Sequence, residues 1–129
     1  GWYSPPRNGK PVIVLFHGNA SHPGMSALKT KELRDAGYGA LLPAYRGYAG
    51  NPGKPTERGL YADARAFIGW LAGEQKIMPG DIVLFGESLG TGVAVEMAAG
   101  PFTGVKAVIL ESPYTSFSEL ASRHYFFVP

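Results

Sequence analysis

Apolar and polar positions alternate along the chain in blocks that predict a parallel sheet covered by helices. Four short apolar runs are typical of buried parallel strands. These predicted strands are 12–16, 40–42, 82–85 and 105–110. Segments with helical spacing or small apolar residues separate them, at 25–36, 56–71 and 91–99. We therefore predict an α/β fold, a mainly parallel sheet with helices on both faces.

The boundaries and ends of the chain add detail to this prediction. Gly37 is expected to stop the first helix and Thr56 to cap the second. Trp2 and Tyr3 resemble the tail of an earlier strand, and the apolar segment 125–128 has no predicted strand to cover. We expect one domain, 1–129, that is truncated and leaves a parallel sheet edge exposed, through which it could self-associate. The alternative is that the final segment docks as a terminal helix.

Composition excludes several classes of function. The 12 basic and 10 acidic residues give a net charge of +2 with no run of like charge, which argues against nucleic-acid binding. The chain has no cysteine, so disulfides and thiolate chemistry are excluded. No stretch approaches the ~18 consecutive apolar residues of a membrane-spanning helix. The cellular location stays open between the cytoplasm and a membrane reached through segments outside these residues.

The strand at 82–85 runs directly into the sequence Gly86-Glu87-Ser88-Leu89-Gly90, which a small-residue helix follows. This order of strand, Gly-x-Ser-x-Gly and helix is that of a nucleophile elbow, in which a sharp turn lifts the serine hydroxyl out of the sheet. Gly86 and Gly90 are expected to let the strand and the helix approach closely. Ser88 is therefore the predicted nucleophile.

Two backbone groups are candidates for stabilising an oxyanion. Ligands bind at the carboxyl ends of parallel strands, so the loop after 12–16, beginning His17-Gly18, should share one rim with Ser88. A backbone N–H just after Gly18, together with the N–H of Leu89, would supply two donors. His17 is either a general base or, as we favour, a side chain that shapes its own loop.

Four sequence blocks in this order resemble the α/β-hydrolase superfamily, and more narrowly its bud-emergence-protein-like, membrane-associated serine hydrolase branch. The blocks are Phe16-His17-Gly18-Asn19, Tyr45-Arg46-Gly47-Tyr48, Gly86-Glu87-Ser88-Leu89-Gly90 and Glu111-Ser112-Pro113-Tyr114-Thr115-Ser116. The resemblance covers nearly the whole chain. It implies a partial α/β-hydrolase fold whose strands correspond to the third to sixth of an eight-stranded sheet.

The resemblance also implies roles for individual residues. The family's nucleophile falls on Ser88, and its oxyanion donors fall on the backbone N–H groups of Asn19 and Leu89, with Ala20 as an alternative to Asn19. Its catalytic acid and histidine normally follow the seventh and eighth strands, which have no counterpart here. Glu111 lies where some members carry the acid, although it could instead anchor the turn that follows.

The predicted function is that of a serine hydrolase of the esterase, lipase or peptidase kind, with this chain inactive alone. Two alternatives are an acyltransferase or thioesterase that uses the same elbow, and a non-catalytic binding module. The expected partner is a small ester, amide or lipid-like substrate. No cofactor or metal is predicted, because phosphate-loop and paired-histidine motifs are absent from the sequence.

Overall fold

The fold is known from a computed structural model that describes residues 2–17, 23–43, 57–87, 90–100, 102, 104–111 and 125–128. Within these residues the strands are β1 (Trp2–Ser4), β2 (Val12–Phe16), β3 (Gly39–Leu42), β4 (Ile82–Glu87), β5 (Ala107–Glu111) and β6 (Tyr125–Val128). The helices are α1 (Pro23–Asp35), α2 (Glu57–Gly73) and α3 (Gly90–Ala99), with one 3-10 turn at Pro79–Asp81. The predicted alternation of strands and helices is confirmed.

These six strands form one sheet in the order β1-β3-β2-β4-β5-β6. The central strands β3, β2, β4 and β5 are parallel, whereas β1 and β6 pair antiparallel at the two edges. The central four are the strands predicted from the apolar runs, and β2 has the predicted bounds. The partial, mainly parallel α/β fold is therefore confirmed.

One edge of the sheet agrees with the sequence-based expectation, because Trp2 and Tyr3 form a strand, and the other edge differs from it. Trp2 and Tyr3 belong to β1, which pairs antiparallel with β3. The segment Tyr125–Val128 is neither an uncovered tail nor a terminal helix: it is β6, and Val128 pairs with Val108. An extended apolar segment satisfies its backbone hydrogen bonds by adding to the free edge of β5. The described sheet therefore has antiparallel edges, not a bare parallel one.

The helices cover the two faces of the sheet unequally. The larger buried cluster joins the sheet to α2 and α3. Its buried members are Val12, Val14, Phe16, Leu41, Leu60, Ala64, Ile68, Leu71, Ile82, Leu84, Val93, Ala94, Met97 and Val108. On the face that α1 covers, the buried cluster is Ile13, Val83 and Ala107, with Leu33 of α1 packed against it. Strand residues alternate between the two clusters because successive side chains point to opposite faces.

Polar side chains secure the end of α1. The Arg7 guanidinium donates hydrogen bonds to the carbonyl oxygens of Arg34 and Asp35, and the Lys10 ammonium donates one to that of Ala36. These are carbonyls that a helix leaves unpaired at its carboxyl end. Gly37 follows with φ of +95°, a left-handed conformation that ends the helix as predicted.

Candidate active site

The chain turns from β4 into α3 within two residues. β4 ends at Glu87 and α3 begins at Gly90, so Ser88 and Leu89 alone separate them in the sequence. Both residues lie outside the described part of the structure, but the residues on either side of them are described. The strand and the helix of the predicted elbow are thus both present, with two residues between them.

Gly86 and Gly90 lie where no side chain fits. A Cβ on Gly86 would lie 2.6 Å from the carbonyl oxygen of Gly90 and 2.8 Å from the Cα of Thr91. A Cβ on Gly90 would overlap the carbonyl oxygen of Phe16 and lie 2.6 Å from its carbonyl carbon. Real Cβ atoms do not approach backbone atoms this closely, so the prediction that both glycines permit a close approach is confirmed.

The contact of Gly90 with Phe16 also brings the elbow to the end of β2. Phe16 pairs with Gly86 in the parallel ladder, and a Cβ on Gly90 would be 3.1 Å from the carbonyl oxygen of His17. The loop that His17 begins is the one in which an oxyanion donor is expected. Asn19 and Ala20 themselves lie outside the described residues, so their roles and those of Ser88 and Leu89 stay predictions.

An ion-pair cluster lies at the carboxyl ends of β4 and β5. The Lys29 ammonium, on α1, donates hydrogen bonds to Glu87 Oε2 at 2.5 Å and to the two carboxylate oxygens of Glu111 at 3.1 and 3.2 Å. Glu87 and Glu111 are partners in the parallel ladder. Lys29 also lies 5.2 Å from the centre of the Phe85 ring, within range of a cation–π interaction.

The cluster keeps Lys29 charged. Its partial burial disfavours the ammonium, but hydrogen bonds and charge attraction from Glu87 and Glu111 outweigh this effect and raise the pKa of Lys29. Lysine is already protonated at neutral pH. One positive charge therefore lies between two carboxylates, one of which belongs to the residue directly before the candidate nucleophile in the sequence.

Glu111 and His17 were candidates for the catalytic acid and the general base, and the structure describes both side chains. Glu111 bonds to Lys29, while the turn it was expected to anchor, which begins at Ser112, lies outside the described residues. Its role as a catalytic acid stays a prediction. His17 is half-buried and makes an interaction of its own, and its role as a base or a loop-shaping residue is likewise untested.

The sequence alone does not single out Lys29. The ammonium is separated by 58 residues from Glu87 and by 82 from Glu111, beyond the reach of any local pattern. One indication was present in the sequence. Glu87 and Glu111 each come within two residues of the end of a predicted strand, and two carboxylates at neighbouring strand ends are stabilised by a nearby cation.

An apolar cavity of about 290 Å³ lies apart from the elbow. It is lined by Tyr3, Leu41, Ala66, Phe67 and Trp70, none of them a predicted site residue. The Tyr3 and Trp70 rings meet edge to face, with centroids 5.1 Å apart.

In the described ranges, His, Asp and Glu side chains nowhere gather in a group of three that could hold a metal ion. None of the described helices is both long and apolar enough to cross a bilayer.

A mainly parallel α/β sheet with a glycine-lined elbow after a central strand defines the class of α/β hydrolases. The sequence matches the pattern of the family described as "Serine aminopeptidase, S33" over residues 7–127, and the chain belongs to this family. The resemblance to the α/β-hydrolase superfamily is thereby confirmed.

Individual relatives and structures agree with this assignment. The uncharacterized protein Rv2307c of Mycobacterium tuberculosis (strain ATCC 25618 / H37Rv) is 44% identical over 100% of this chain and 46% of its own length. Lysophosphatidylserine lipase ABHD12 of Danio rerio is 37% identical over 97% of this chain and 34% of its own length. The crystal structure of an α/β hydrolase from Vibrio vulnificus superposes with a TM-score of 0.74 and 31% identity, covering 88% of this chain and 40% of that one. The chain thus spans less than half the length of each.

Proposed function

We propose that the complete protein containing this chain is a serine hydrolase that cleaves carboxylic esters of lipid-like substrates through an acyl-enzyme at Ser88. The observation that carries the proposal is the elbow: two residues join β4 to α3, between glycines that admit no side chain. An α/β hydrolase exposes its nucleophile in such a turn. The lipid-like substrate class is supported by the 37% identity to a lysophosphatidylserine lipase.

In the proposed reaction, the Ser88 Oγ attacks the acyl carbonyl carbon as a base accepts its proton. The N–H groups of Leu89 and Asn19, or Ala20, stabilise the resulting oxyanion. The carbon–oxygen bond to the leaving alcohol then breaks, and the alcohol takes the proton. A water molecule next attacks the acyl-enzyme, releasing the carboxylic acid and restoring Ser88.

The catalytic histidine and its acid partner are proposed to come from outside these 129 residues. In the family order, both follow strands for which this chain has no counterpart. Without them a serine hydroxyl is a poor nucleophile, and only the ~10³–10⁴-fold acceleration over water that oxyanion stabilisation and binding supply would remain. The isolated chain should therefore be nearly inactive, and ester hydrolysis as fast as that of the complete protein would contradict this.

The test of the nucleophile is to treat the complete protein with a fluorophosphonate and to assay p-nitrophenyl butyrate. Labelling should map to Ser88, and Ser88→Ala should abolish both labelling and hydrolysis. Ser4→Ala is the matched control, because Ser4 lies on the edge strand β1, and should change neither. Undiminished hydrolysis in Ser88→Ala would refute the proposal. No labelling of the wild-type protein would instead favour a non-catalytic binding module.

A second assay tests the substrate class. A monoacyl lysophospholipid and an aminoacyl p-nitroanilide present an ester and an amide to the same site. We expect a higher kcat/KM for the lysophospholipid. A higher value for the anilide would favour the peptidase activity for which the family is named, with the same nucleophile.

A further inference from the structure

Lys29 connects three segments that continue into the candidate site. Glu87 is the last residue of β4, directly before Ser88, and Glu111 is the last residue of β5. Lys29 belongs to α1, which begins at Pro23 after the loop that contains Asn19 and Ala20. One ammonium therefore ties the strand that leads to the nucleophile to the helix that follows the oxyanion loop.

The hydrogen bonds of Lys29 to Glu87 and Glu111 are short, and the three side chains are partly buried. The three hydrogen bonds of Lys29 have lengths of 2.5, 3.1 and 3.2 Å, and the Lys29, Glu87 and Glu111 side chains are 26%, 21% and 21% exposed. Charge-assisted bonds in partly buried positions are stronger and less screened than those on the open surface. On this face the described buried cluster is Ile13, Val83 and Ala107, and Leu33 of α1 packs against it. Lys29 therefore links α1 to the carboxyl ends of β4 and β5.

We propose that Lys29 is a positioning residue, whose ion pairs with Glu87 and Glu111 set the distance between the oxyanion loop and the nucleophile. This positioning role rests on the proposed function, since it requires Ser88 to be the nucleophile. The proposed role does not require Lys29 to touch the reacting atoms. Lys29 acts through the segments that it joins.

A positioning residue has a kinetic signature. Oxyanion contacts form in the transition state, so a displaced donor lowers kcat and leaves KM nearly unchanged. A misplacement of about 1 Å can cost on the order of 10²-fold. For Lys29→Met in the complete protein we expect a ~10–100-fold lower kcat on p-nitrophenyl butyrate, an equal drop in the rate of fluorophosphonate labelling at Ser88, and little change in KM.

Lys29→Arg restores the charge and the hydrogen-bond donors, and we expect it to recover most of the lost kcat. If Lys29→Arg is folded and as slow as Lys29→Met, the proposal fails. Lys31→Met is the matched control. Lys31 lies on the same helix, pairs with Asp35 at 2.8 Å and is 62% exposed, so its loss should leave kcat unchanged.

A triple variant, Lys29→Met with Glu87→Gln and Glu111→Gln, tests whether Lys29 acts by positioning α1 or only by neutralising the two carboxylates. The triple variant removes both ion pairs but leaves no unpaired charge, so it should fold even if Lys29→Met does not. We expect its kcat to stay low because no ion pair holds α1 against β4. Recovery to the wild-type kcat would overturn the positioning role and show that only uncompensated carboxylates had slowed the reaction.

The same measurements distinguish this inference from the proposed function. If the wild-type protein is not labelled at Ser88, the proposed function is wrong, and the positioning role with it. If the wild-type protein is labelled at Ser88 and Lys29→Met has an unchanged labelling rate and kcat, only the positioning role is wrong.

Discussion

Gly90 lies against the backbone of Phe16 so closely that a methyl group on its Cα would stand 2.6 Å from the Phe16 carbonyl carbon. This contact joins the first residue of α3 to the last residue of β2. It fixes the elbow relative to the loop in which an oxyanion donor is expected. The absence of a side chain at Gly90 is thus needed for α3, which follows the candidate nucleophile, to lie against β2, which precedes the expected oxyanion loop.

Gly90→Ala should destabilise the protein and impair the site. The added methyl group forces α3 away from β2, and overpacking of this kind costs about 1–3 kcal/mol. Fluorophosphonate labelling at Ser88 should slow in the folded variant, because the elbow moves with α3. Urea unfolding and the labelling rate measure the two effects.

Gly92→Ala is the control for this change. Gly92 is on the same helix, and a Cβ placed there would have no atom within 4 Å apart from its chain neighbours and the backbone of its own helix. Alanine is favoured over glycine in a helix by roughly 0.5–1 kcal/mol, so this variant should be slightly stabilised with unchanged labelling. Equal stability of the two variants would contradict the close contact at Gly90.

Leu84→Ala should cause a large loss of stability. Leu84 is 0% exposed in the buried cluster beneath α2 and α3, and removal of a buried leucine side chain leaves a cavity that costs ~2–5 kcal/mol. Chemical denaturation gives the value. Val95→Ala on α3, where the side chain is 47% exposed, should change stability by no more than about 0.5 kcal/mol. A similar cost for both would mean that Leu84 is not in the core.

Arg7→Met should loosen the carboxyl end of α1. The guanidinium bonds to the carbonyls of Arg34 and Asp35, and a cation at a helix carboxyl terminus contributes about 0.3–1 kcal/mol. Hydrogen exchange of amides in the last turn of α1 should become faster. Arg65→Met, at an exposed position on α2, should leave those amides unchanged, and equal acceleration in both variants would argue against the capping role.

The Lys31–Asp35 pair should make a pH-dependent contribution to stability. The hydrogen bond and charge of Lys31 lower the pKa of Asp35 from its ordinary value of 3.8. A carboxyl whose pKa is lower in the folded state stabilises the fold above the unfolded pKa. That contribution is lost as the pH falls through the folded value. An NMR titration should find the pKa of Asp35 below 3.8, and Lys31→Met should raise it.

High salt provides the check on this pair. Asp35 and Lys31 are exposed, so 1 M salt, with a Debye length of about 3 Å, should move the Asp35 pKa towards its ordinary value. A pKa that neither salt nor Lys31→Met alters would rule out the ion pair as the cause.

Local patterns predicted the centre of the sheet and a strand at Trp2 and Tyr3, but not the edge strand β6. The run Val12–Phe16 is apolar throughout and identified β2 without error, because a strand buried on both faces needs no partner to be recognised. β6 was missed because Tyr125–Val128 becomes a strand only by pairing with β5, a contact that no local pattern specifies.

In the candidate site, too, residues that are consecutive in the chain could be predicted, and residues that come together only in the fold could not. Gly86, Ser88 and Gly90 could be singled out from the sequence because the elbow is built from consecutive residues. β4 extends two residues past its predicted end because Gly86 and Glu87 continue to pair with β5. Lys29 could not be singled out, since its role depends on where α1 lies above two strands that come much later in the chain.

The two-residue interval between β4 and α3 links the position of the nucleophile to the rotation of a helix. Each residue of an α-helix turns the chain by about 100°. A single insertion after Glu87 would therefore either rotate α3, turning Val93, Ala94 and Met97 out of the core, or force Gly90 away from Phe16. The spacing between strand and helix cannot change while both contacts persist, so the number of residues between β4 and α3 is set by how α3 packs.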